Sequence, residues 1–237
     1  MPPHQLPLPF AHTPLYSAAD FLAAPSNDSA LHWLARTPHW PDRRLALFGA
    51  EGSGKTHLLH LWAAANGAAL LAGTLLPPPQ AAPATPLAID DADAAPERPL
   101  LHLLNAAAEA GLPTLLAGRA APARWPVALP DLASRLRACV ACEIRPAEDS
   151  LLRALLARLL AERQLAVPAP LQYWLLARLP RTPAAIREAA ARLDRMALAA
   201  GGRVTRGVAA AVLDGLTDHA AEDDTPSSPA TAEALLL

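Results

Sequence analysis

The feature that most constrains this chain is the stretch from Leu45 to His60, which reads LALFGAEGSGKTHLLH. Four apolar residues lead into a glycine-rich turn, and Lys55 and Thr56 open a segment with apolar residues at helical spacing. A strand that continues through such a turn into a helix directs backbone N–H groups and the positive end of the helix dipole at one point. The stretch therefore predicts a phosphate-binding loop between a buried strand and a helix.

The spacing of the loop residues gives each of them a separate task. Gly49, Gly52 and Gly54 allow backbone angles that other residues avoid, so that successive N–H groups can turn inward around a phosphate. Lys55 is placed to reach the β- and γ-phosphates of a nucleotide, and the Thr56 hydroxyl to bind its Mg²⁺ ion. The loop predicts ATP or ADP with Mg²⁺ as the cofactor.

A second motif, Leu87 to Asp91 (LAIDD), is an apolar strand with two carboxylates at its end. These are the features of a Walker B element, in which Asp90 holds the Mg²⁺ shell and Asp91 orients or deprotonates water at the γ-phosphate. Consecutive aspartates also suit a simple turn. The position of the motif downstream of a phosphate loop favours the catalytic interpretation.

The order of the predicted elements indicates an α/β fold up to Pro146. Strands alternate with helices, which is typical of a parallel sheet sandwiched by helices, with phosphates bound at its carboxyl edge. Beyond Pro146 the pattern is helical only and predicts a small all-α lid domain. The last residues are acidic and rich in Ser, Pro and Thr, which predicts disorder. The predicted parts are an extended tail at 1–12, an α/β nucleotide-binding domain at 13–147, a lid at 148–216 and an acidic tail at 217–237.

The predicted elements within these parts follow from apolar periodicity and from Pro, Gly and capping signals. The first helix follows Ser26, Asn27 and Asp28, whose side chains are suited to cap it. Strands are predicted at 45–48, 68–72, 87–91, 113–118 and 138–144. Helices are predicted through Leu31, Trp33 and Leu34, from 55, and at 100–110, 130–137, 148–163, 170–178, 182–199 and 204–216.

Composition and charge narrow the possible partners. The 237 residues are 52% hydrophobic, which is sufficient for a sizeable core, and the formal net charge is −2. This balance gives no general electrostatic footprint for nucleic acid or anionic lipid, so contact with DNA is expected to be indirect. Polar residues and glycines interrupt the apolar stretch 58–76, and no secretory signal pattern begins the sequence. We expect a soluble cytoplasmic protein without a membrane partner.

The two cysteines, Cys139 and Cys142, form a single CxxC pair. A metal or redox site is one interpretation, but no second Cys/His pair stands at zinc spacing. The pair falls in a predicted strand, where residues three apart face opposite sides. We therefore predict structural cysteines, which suit a reducing compartment.

The first twelve residues, MPPHQLPLPFAH, contain four prolines and so cannot form a helix or a central strand. Leu6, Leu8 and Phe10 alternate with proline or stand beside it. Such a segment can bind another protein as an extended peptide whose alternate side chains fill pockets. The alternative is an arm that packs on its own domain.

An α/β core with Walker motifs followed by a helical lid resembles the AAA+ module, and specific residues resemble the bacterial replication initiator DnaA. The run from Gly52 to His60, with GKTHLLH, is similar to its phosphate loop, and Phe21 with Pro25-Ser26-Asn27 to its nucleotide-flanking segment. The resemblance covers about residues 14–216. It adds Asn27, Ser53 and His57 to the predicted nucleotide contacts.

Two further segments resemble functional parts of this family. Asp131 to Leu136 (DLASRL) is similar to the arginine-finger segment, which implies that Arg135 acts on a nucleotide bound to another molecule, with Arg137 as the lesser candidate. Ile186-Arg187-Glu188 is similar to the sensor 2 helix, which implies that Arg187 contacts nucleotide. Without the resemblance, Arg135 and Arg187 would be interpreted as ordinary solvated arginines.

The residues Gln5, Leu6, Leu8 and Phe10 resemble the peptide by which replication proteins dock on the sliding clamp. An initiator-like AAA+ module with such a peptide resembles the Hda family, the DnaA-paralogous regulatory inactivators of DnaA. The resemblance implies docking on the clamp, the β subunit of DNA polymerase III, and stimulated hydrolysis of DnaA-bound ATP in trans. DnaA would become the inactive ADP form, and initiation of replication would be negatively regulated. A nucleotide-dependent homo-oligomer remains open.

One departure from the family bears on catalysis. Ala117 and Gly118 stand where sensor 1 usually offers a polar side chain, and Arg119 stands where the initiator has an acidic residue. This predicts slow or absent intrinsic ATP hydrolysis, so that the nucleotide acts as a structural ligand. The main rival is an independent AAA+ ATPase of helicase-loader type that hydrolyses its own ATP to remodel a partner. A DNA-binding initiator fragment is disfavoured by the net charge and by the lack of a helix-turn-helix pattern.

Overall fold

A computed structural model describes residue 16 and residues 20–76, 83–199 and 203–222. The chain divides into two compact units, Met1–Pro146 and Ala147–Leu237. The predicted clamp-binding residues Gln5, Leu6, Leu8 and Phe10 lie outside the described residues. Side chains of residues 199 and 217–222 are likewise outside the description.

The first unit contains a five-stranded parallel sheet, which confirms the predicted α/β class. Its strand order is β2-β3-β4-β1-β5, so β1 lies between β4 and β5, and the strand that carries Asp90 is separated from it by β4 alone. In chain order the elements are α1 (Asp28–Leu34), β1 (Arg44–Phe48), α2 (Lys55–Asn66), β2 (Ala69–Ala72), β3 (Leu87–Asp90), α3 (Glu97–Glu109), β4 (Thr114–Gly118), α4 (Pro130–Ala138) and β5 (Val140–Glu143).

The sheet separates two apolar cores, one on each face. Leu45 and Leu47 of β1 pack into the core that contains Leu58 and Leu59 of α2, whereas Ala46 packs into the core on the other face. A strand covered on both faces has no position for a solvated side chain, which explains the continuous apolar runs in the sequence. The sheet thereby fixes the ends of β1, β3 and β4, from which the candidate site is built.

The cysteine strand is shorter than predicted, because β5 begins at Val140 and Cys139 precedes it. Cys142 packs in the core beside α2 and Cys139 against the opposite core, which confirms the expectation of opposite faces. Burial raises the pKa of Cys139 to about 12 and also raises that of Cys142. Both thiols therefore stay protonated at neutral pH, as structural cysteines do.

The first helix is present after the predicted capping residues, but its predicted side-chain cap is wrong. Asn27 occupies the N-cap position, yet its side chain makes no capping hydrogen bond. The Asn27 Oδ1 atom instead accepts a hydrogen bond from the Ala24 N–H at 3.0 Å, because the preceding segment folds back on it.

The described residues of the second unit form four helices: α5 (Asp149–Glu162), α6 (Ala169–Leu176), α7 (Pro183–Ala199) and α8 (Arg206–Glu222). The predicted cap of α7 is present, since the Thr182 hydroxyl accepts a hydrogen bond from the Ala185 N–H. Helix α8 includes residues 217–222, for which composition predicted disorder. The first helix-breaking residue after Gly215 is Pro226, so the sequence does not oblige the helix to stop at residue 216. No helix within the described ranges is both long enough and apolar enough to span a bilayer.

Candidate nucleotide-binding site

The loop between β1 and α2 depends on its glycines. Gly52 and Gly54 have φ angles of 71° and 101°, which side chains disfavour. Gly49 is required for a different reason: the backbone of Ile144 approaches it so closely that a Cβ atom at this residue would lie 2.5 Å from the Ile144 carbonyl oxygen. The sequence therefore places glycine where β5 and the loop come together.

Lys55, at the start of α2, is buried and points into the loop. Its Nζ donates hydrogen bonds of 2.8 Å to the carbonyl oxygens of Gly49 and Ala50. Burial lowers the pKa of Lys55, and the negative charges of neighbouring aspartates, first Asp90 and then Asp91, act in the opposite direction. The loop thus encloses a cation that an anionic group can approach through the glycine turn.

Thr56 and Asp90 meet although they belong to different motifs. The Thr56 hydroxyl donates a 2.7 Å hydrogen bond to Oδ2 of Asp90 at the end of β3. Asp91 follows with a left-handed φ of 46°, which turns the chain away at the carboxyl edge of the sheet. The structure therefore brings together the two predicted Mg²⁺ ligands and the predicted water-orienting carboxylate.

These residues fit Mg²⁺ that arrives with a nucleotide. One carboxylate and one hydroxyl, completed by phosphates and waters, form the oxygen ligand set that Mg²⁺ takes in nucleotide sites. In the part of the chain that the structure describes, no group of three or more His, Cys, Asp or Glu side chains could hold a metal by itself.

Ser53 provides a further sign of a ligand site. Its hydroxyl oxygen is buried and has no hydrogen-bond partner among the described residues. It lies against Gly49, 3.3 Å from where a Cβ of that residue would stand. A buried unpaired hydroxyl is rare in native proteins, and a phosphate oxygen would satisfy it.

An aromatic cluster borders the first turns of α2. His57 contacts the rings of Tyr16 and Phe21 edge-on, at centroid distances of 5.3 and 5.2 Å, and His60 stacks on Tyr16 at 4.0 Å. Burial lowers the pKa of His60, although Asp90 acts in the opposite direction. The contacts of Tyr16 and His60 beside the loop were not predicted from the sequence. The four-residue spacing of Thr56 and His60, which places both on one helix face, was the available signal.

Asn27 has a supporting position in the structure. Its buried amide accepts a hydrogen bond from Ala24 and donates one of 2.9 Å to the carbonyl oxygen of Leu22. It thereby fixes the segment that carries Phe21, whose ring lies 3.5 Å from where a Cβ of Gly54 would stand. A direct contact between Asn27 and nucleotide stays a prediction.

The end of β4 leaves no room for a side chain at Gly118, one of the two residues, with Ala117, at which the sequence departs from the sensor 1 pattern. A Cβ atom on Gly118 would lie 2.8 Å from Cζ2 of Trp125 and 3.2 Å from Cγ of Asp93. The Trp125 indole is fixed by a hydrogen bond to the Ala120 carbonyl oxygen. The indole therefore fills the space that a polar side chain at Gly118 would need.

Arg135 is half-buried in the last turn of α4, and no carboxylate among the described residues forms an ion pair with it. Helix α4 leads into β5, whose first residue, Val140, pairs with Leu45 near the amino end of β1. The phosphate loop begins beyond Phe48, at the other end of β1. The topology thus directs Arg135 away from the loop of its own chain.

Glu97 holds the start of the same helix. Its two carboxylate oxygens accept hydrogen bonds of 2.8 and 2.7 Å from the backbone N–H groups of Ala128 and Leu129, directly before α4. Arg187, the predicted sensor 2 residue, is exposed on α7 in the second unit.

Gly73, just after β2, lets the chain approach the Walker B residues, and we expect Gly73→Ala to destabilise the fold. An added Cβ would lie 2.4 Å from the Asp91 carbonyl oxygen and 2.8 Å from that of Asp90. Relief requires backbone movement, with a cost of about 1–3 kcal/mol. Urea unfolding measures this loss. Gly207→Ala is the control, because its Cβ would make only an ordinary 3.7 Å contact; equal stability of the two variants would contradict the prediction.

Comparison with known proteins bears on the fold. No family model and no curated protein matches the sequence. Among solved structures, domain III of Thermotoga maritima DnaA is similar with a TM-score of 0.68 and 17% identity, over 84% of this chain and 96% of that one. AMPPCP-bound DnaA from Aquifex aeolicus has a TM-score of 0.62 and 14% identity, over 88% of this chain and 69% of that one. The Thermotoga maritima RuvB Holliday junction branch migration motor has a TM-score of 0.60 and 17% identity, over 80% of this chain and 69% of that one. The chain therefore has the α/β fold of the AAA+ modules of DnaA and RuvB.

Proposed function

We propose that this chain binds ATP or ADP with Mg²⁺ in the loop between β1 and α2. The observation that carries the proposal is the hydrogen bond between Thr56 and Asp90, because it joins the two motifs that a nucleotide-bound Mg²⁺ requires. Lys55 and Ser53 offer donors to the phosphates, together with the N–H groups of Gly49, Gly52 and Gly54. His57 and Asn27 support the neighbouring segment, and Arg187 is a further nucleotide contact.

We further propose that the chain is a DnaA-directed regulator of the Hda type rather than an efficient ATPase. Two observations support this. Ala117 has no hydrogen-bonding side chain and Trp125 fills the space at Gly118, so Asp91 is the water-orienting side chain that this site offers among the described residues. Arg135 lies in the last turn of α4, which leads to the amino ends of the strands, whereas the phosphate loop of the same chain follows the carboxyl end of β1. This position suits an arginine that acts on a nucleotide bound to another molecule.

In this proposal Arg135 enters the site of ATP-bound DnaA and stabilises the charge on its γ-phosphate during hydrolysis. The product is inactive ADP-DnaA, and initiation of replication is suppressed. Gln5, Leu6, Leu8 and Phe10 dock on the sliding clamp, so that DNA is contacted only through the clamp, in the cytoplasm. A nucleotide-dependent homo-oligomer is compatible with a finger that acts in trans.

The test is to load DnaA with radiolabelled ATP, add clamp assembled on DNA, and follow the formation of ADP with and without this chain. We expect ADP to accumulate only when both the clamp and the chain are present. Unchanged hydrolysis, with bound nucleotide verified on the chain, would contradict the regulatory proposal and leave nucleotide binding intact.

Replacement of Leu6, Leu8 and Phe10 by Ala should abolish clamp binding and leave ADP affinity unchanged, because the substitutions remove the side chains that fill the clamp pockets. Surface plasmon resonance on immobilised clamp measures the first effect, and calorimetric titration with ADP the second. Replacement of His4 by Ala is the matched control within the same segment. Clamp affinity equal to that of the unmodified chain would refute the docking role.

The second candidate is the independent ATPase of helicase-loader type. The observation in its favour is that Thr56, Asp90 and Asp91 form a complete Walker arrangement within one chain. Steady-state hydrolysis by the chain alone separates the two proposals. A turnover that matches ordinary AAA+ motors and does not need the 1–12 tail would favour the second.

A further inference from the structure

Arg119, the first residue after β4, lies beside the phosphate loop. Its Nη2 atom is 3.4 Å from Oε2 of Glu51, which belongs to the loop between Gly49 and Gly52. Both side chains are largely exposed, at 72% and 81% of their full accessibility. The guanidinium group therefore stands at the solvent-exposed side of the phosphate loop.

The backbone of Arg119 is fixed although its side chain is exposed. Its N–H donates a 2.7 Å hydrogen bond to Oδ2 of Asp93, in the turn after the Walker B strand. The preceding residue, Gly118, is in close contact with Trp125. The positive charge of Arg119 also contributes to lowering the pKa of Lys55, so the two cations act on the same region. The backbone of Arg119 is therefore fixed, and its exposed side chain is free of packing constraints.

The pair with Glu51 is easily exchanged for another partner. Exposed ion pairs of this kind contribute little to stability, because solvent screens them. A phosphate binds a guanidinium more strongly, since two parallel N–H groups match two phosphate oxygens and the phosphate carries more charge. Glu51 is also repelled by a nearby phosphate.

We propose that Arg119 is a phosphate-contacting residue of this site, which leaves Glu51 for the γ-phosphate and so makes the site distinguish ATP from ADP. This inference rests on the proposed nucleotide binding. It gives Arg119 a binding role at the position where the initiator family has an acidic residue. Glu51 acts as a competitor that holds Arg119 when the γ-phosphate is missing.

The test is calorimetric titration with Mg²⁺-AMPPCP and, separately, Mg²⁺-ADP. Arg119→Gln should weaken AMPPCP binding about tenfold or more, as loss of hydrogen bonds between charged groups does, and change ADP binding by less than about twofold. Glu51→Gln should strengthen AMPPCP binding, and this gain should vanish when Arg119 is also replaced by Gln. Arg43→Gln is the matched control, since it makes the same charge change at the amino end of β1, roughly 16 Å from the loop.

The outcomes separate the inference from the proposal beneath it. If the unmodified chain binds neither nucleotide, the proposed function fails and the inference with it. If both nucleotides bind but Arg119→Gln weakens them equally, or weakens neither, the inference alone is wrong. A Glu51→Gln gain that persists without Arg119 would show simple repulsion by Glu51 and would also overturn the exchange between partners.

Discussion

Arg135→Ala should abolish the stimulation of DnaA-bound ATP hydrolysis while clamp binding and nucleotide binding persist. An arginine finger that reaches the γ-phosphate of another subunit accelerates hydrolysis by about 10³–10⁵-fold, so its loss should return the rate close to that of DnaA alone. Arg135 forms no ion pair with any carboxylate that the structure describes, so its removal leaves no buried partner charge. Single-turnover conversion of labelled ATP on DnaA measures the effect.

Two further variants make the Arg135 experiment specific. Arg135→Lys keeps the charge but lacks the planar fork, so we expect most of the stimulation to be lost. Arg137→Ala, two residues further along the exposed end of α4, should retain it. Retained stimulation in Arg135→Ala together with loss in Arg137→Ala would assign the finger to Arg137 and contradict the proposed role of Arg135.

Lys55→Ala should reduce ADP affinity on the order of 100-fold, the second-largest effect that we expect. The variant removes a charged donor to the phosphates, and a hydrogen bond to a charged group contributes about 1.5–3 kcal/mol. Nζ is held by the carbonyl oxygens of Gly49 and Ala50, so the cation is already in place before ligand binds and little ordering entropy is spent. Calorimetric titration with ADP and Mg²⁺ measures the loss.

Thr56→Val provides the comparison for Lys55→Ala. It removes the hydroxyl that donates to Asp90 and should weaken ADP binding when Mg²⁺ is present but not in the presence of EDTA. Lys55→Ala should weaken binding under both conditions. Affinities for Lys55→Ala that match the unmodified chain would remove the phosphate loop from the proposed site.

The elements around the loop were predictable because each depends on local residues. An apolar run before Gly49 and a helical pattern after Lys55 suffice to define β1 and α2, and the paired aspartates define the end of β3. The contact between Thr56 and Asp90 was foreseen only through the motif, since its two residues belong to separate elements. The Asn27 side chain can either cap the following helix or fix the preceding segment. The sequence alone does not distinguish these two roles.

The rest of the site depends on contacts between segments that are distant in the chain. The departure of Ala117, Gly118 and Arg119 from the initiator family is visible in the sequence, but the position of Trp125 over Gly118 is not. The ion pair of Arg119 with Glu51 is likewise not predictable from the sequence, because the register of β4 beside β1 sets that distance. The aromatic contacts of Tyr16 depend in the same way on a segment without periodicity.

The strand order has a consequence for the synthesis of the chain. Strand β1 leaves the ribosome early, yet both of its neighbours, β4 and β5, are made much later. Until then β1 and its apolar faces have no sheet to join, and the carbonyl of Ile144 that closes over Gly49 does not exist. Non-local pairing of this kind makes folding slow and exposes intermediates to aggregation. A nascent chain that stops before residue 144 should therefore carry the complete phosphate-loop sequence but lack the Ile144 backbone that packs against Gly49.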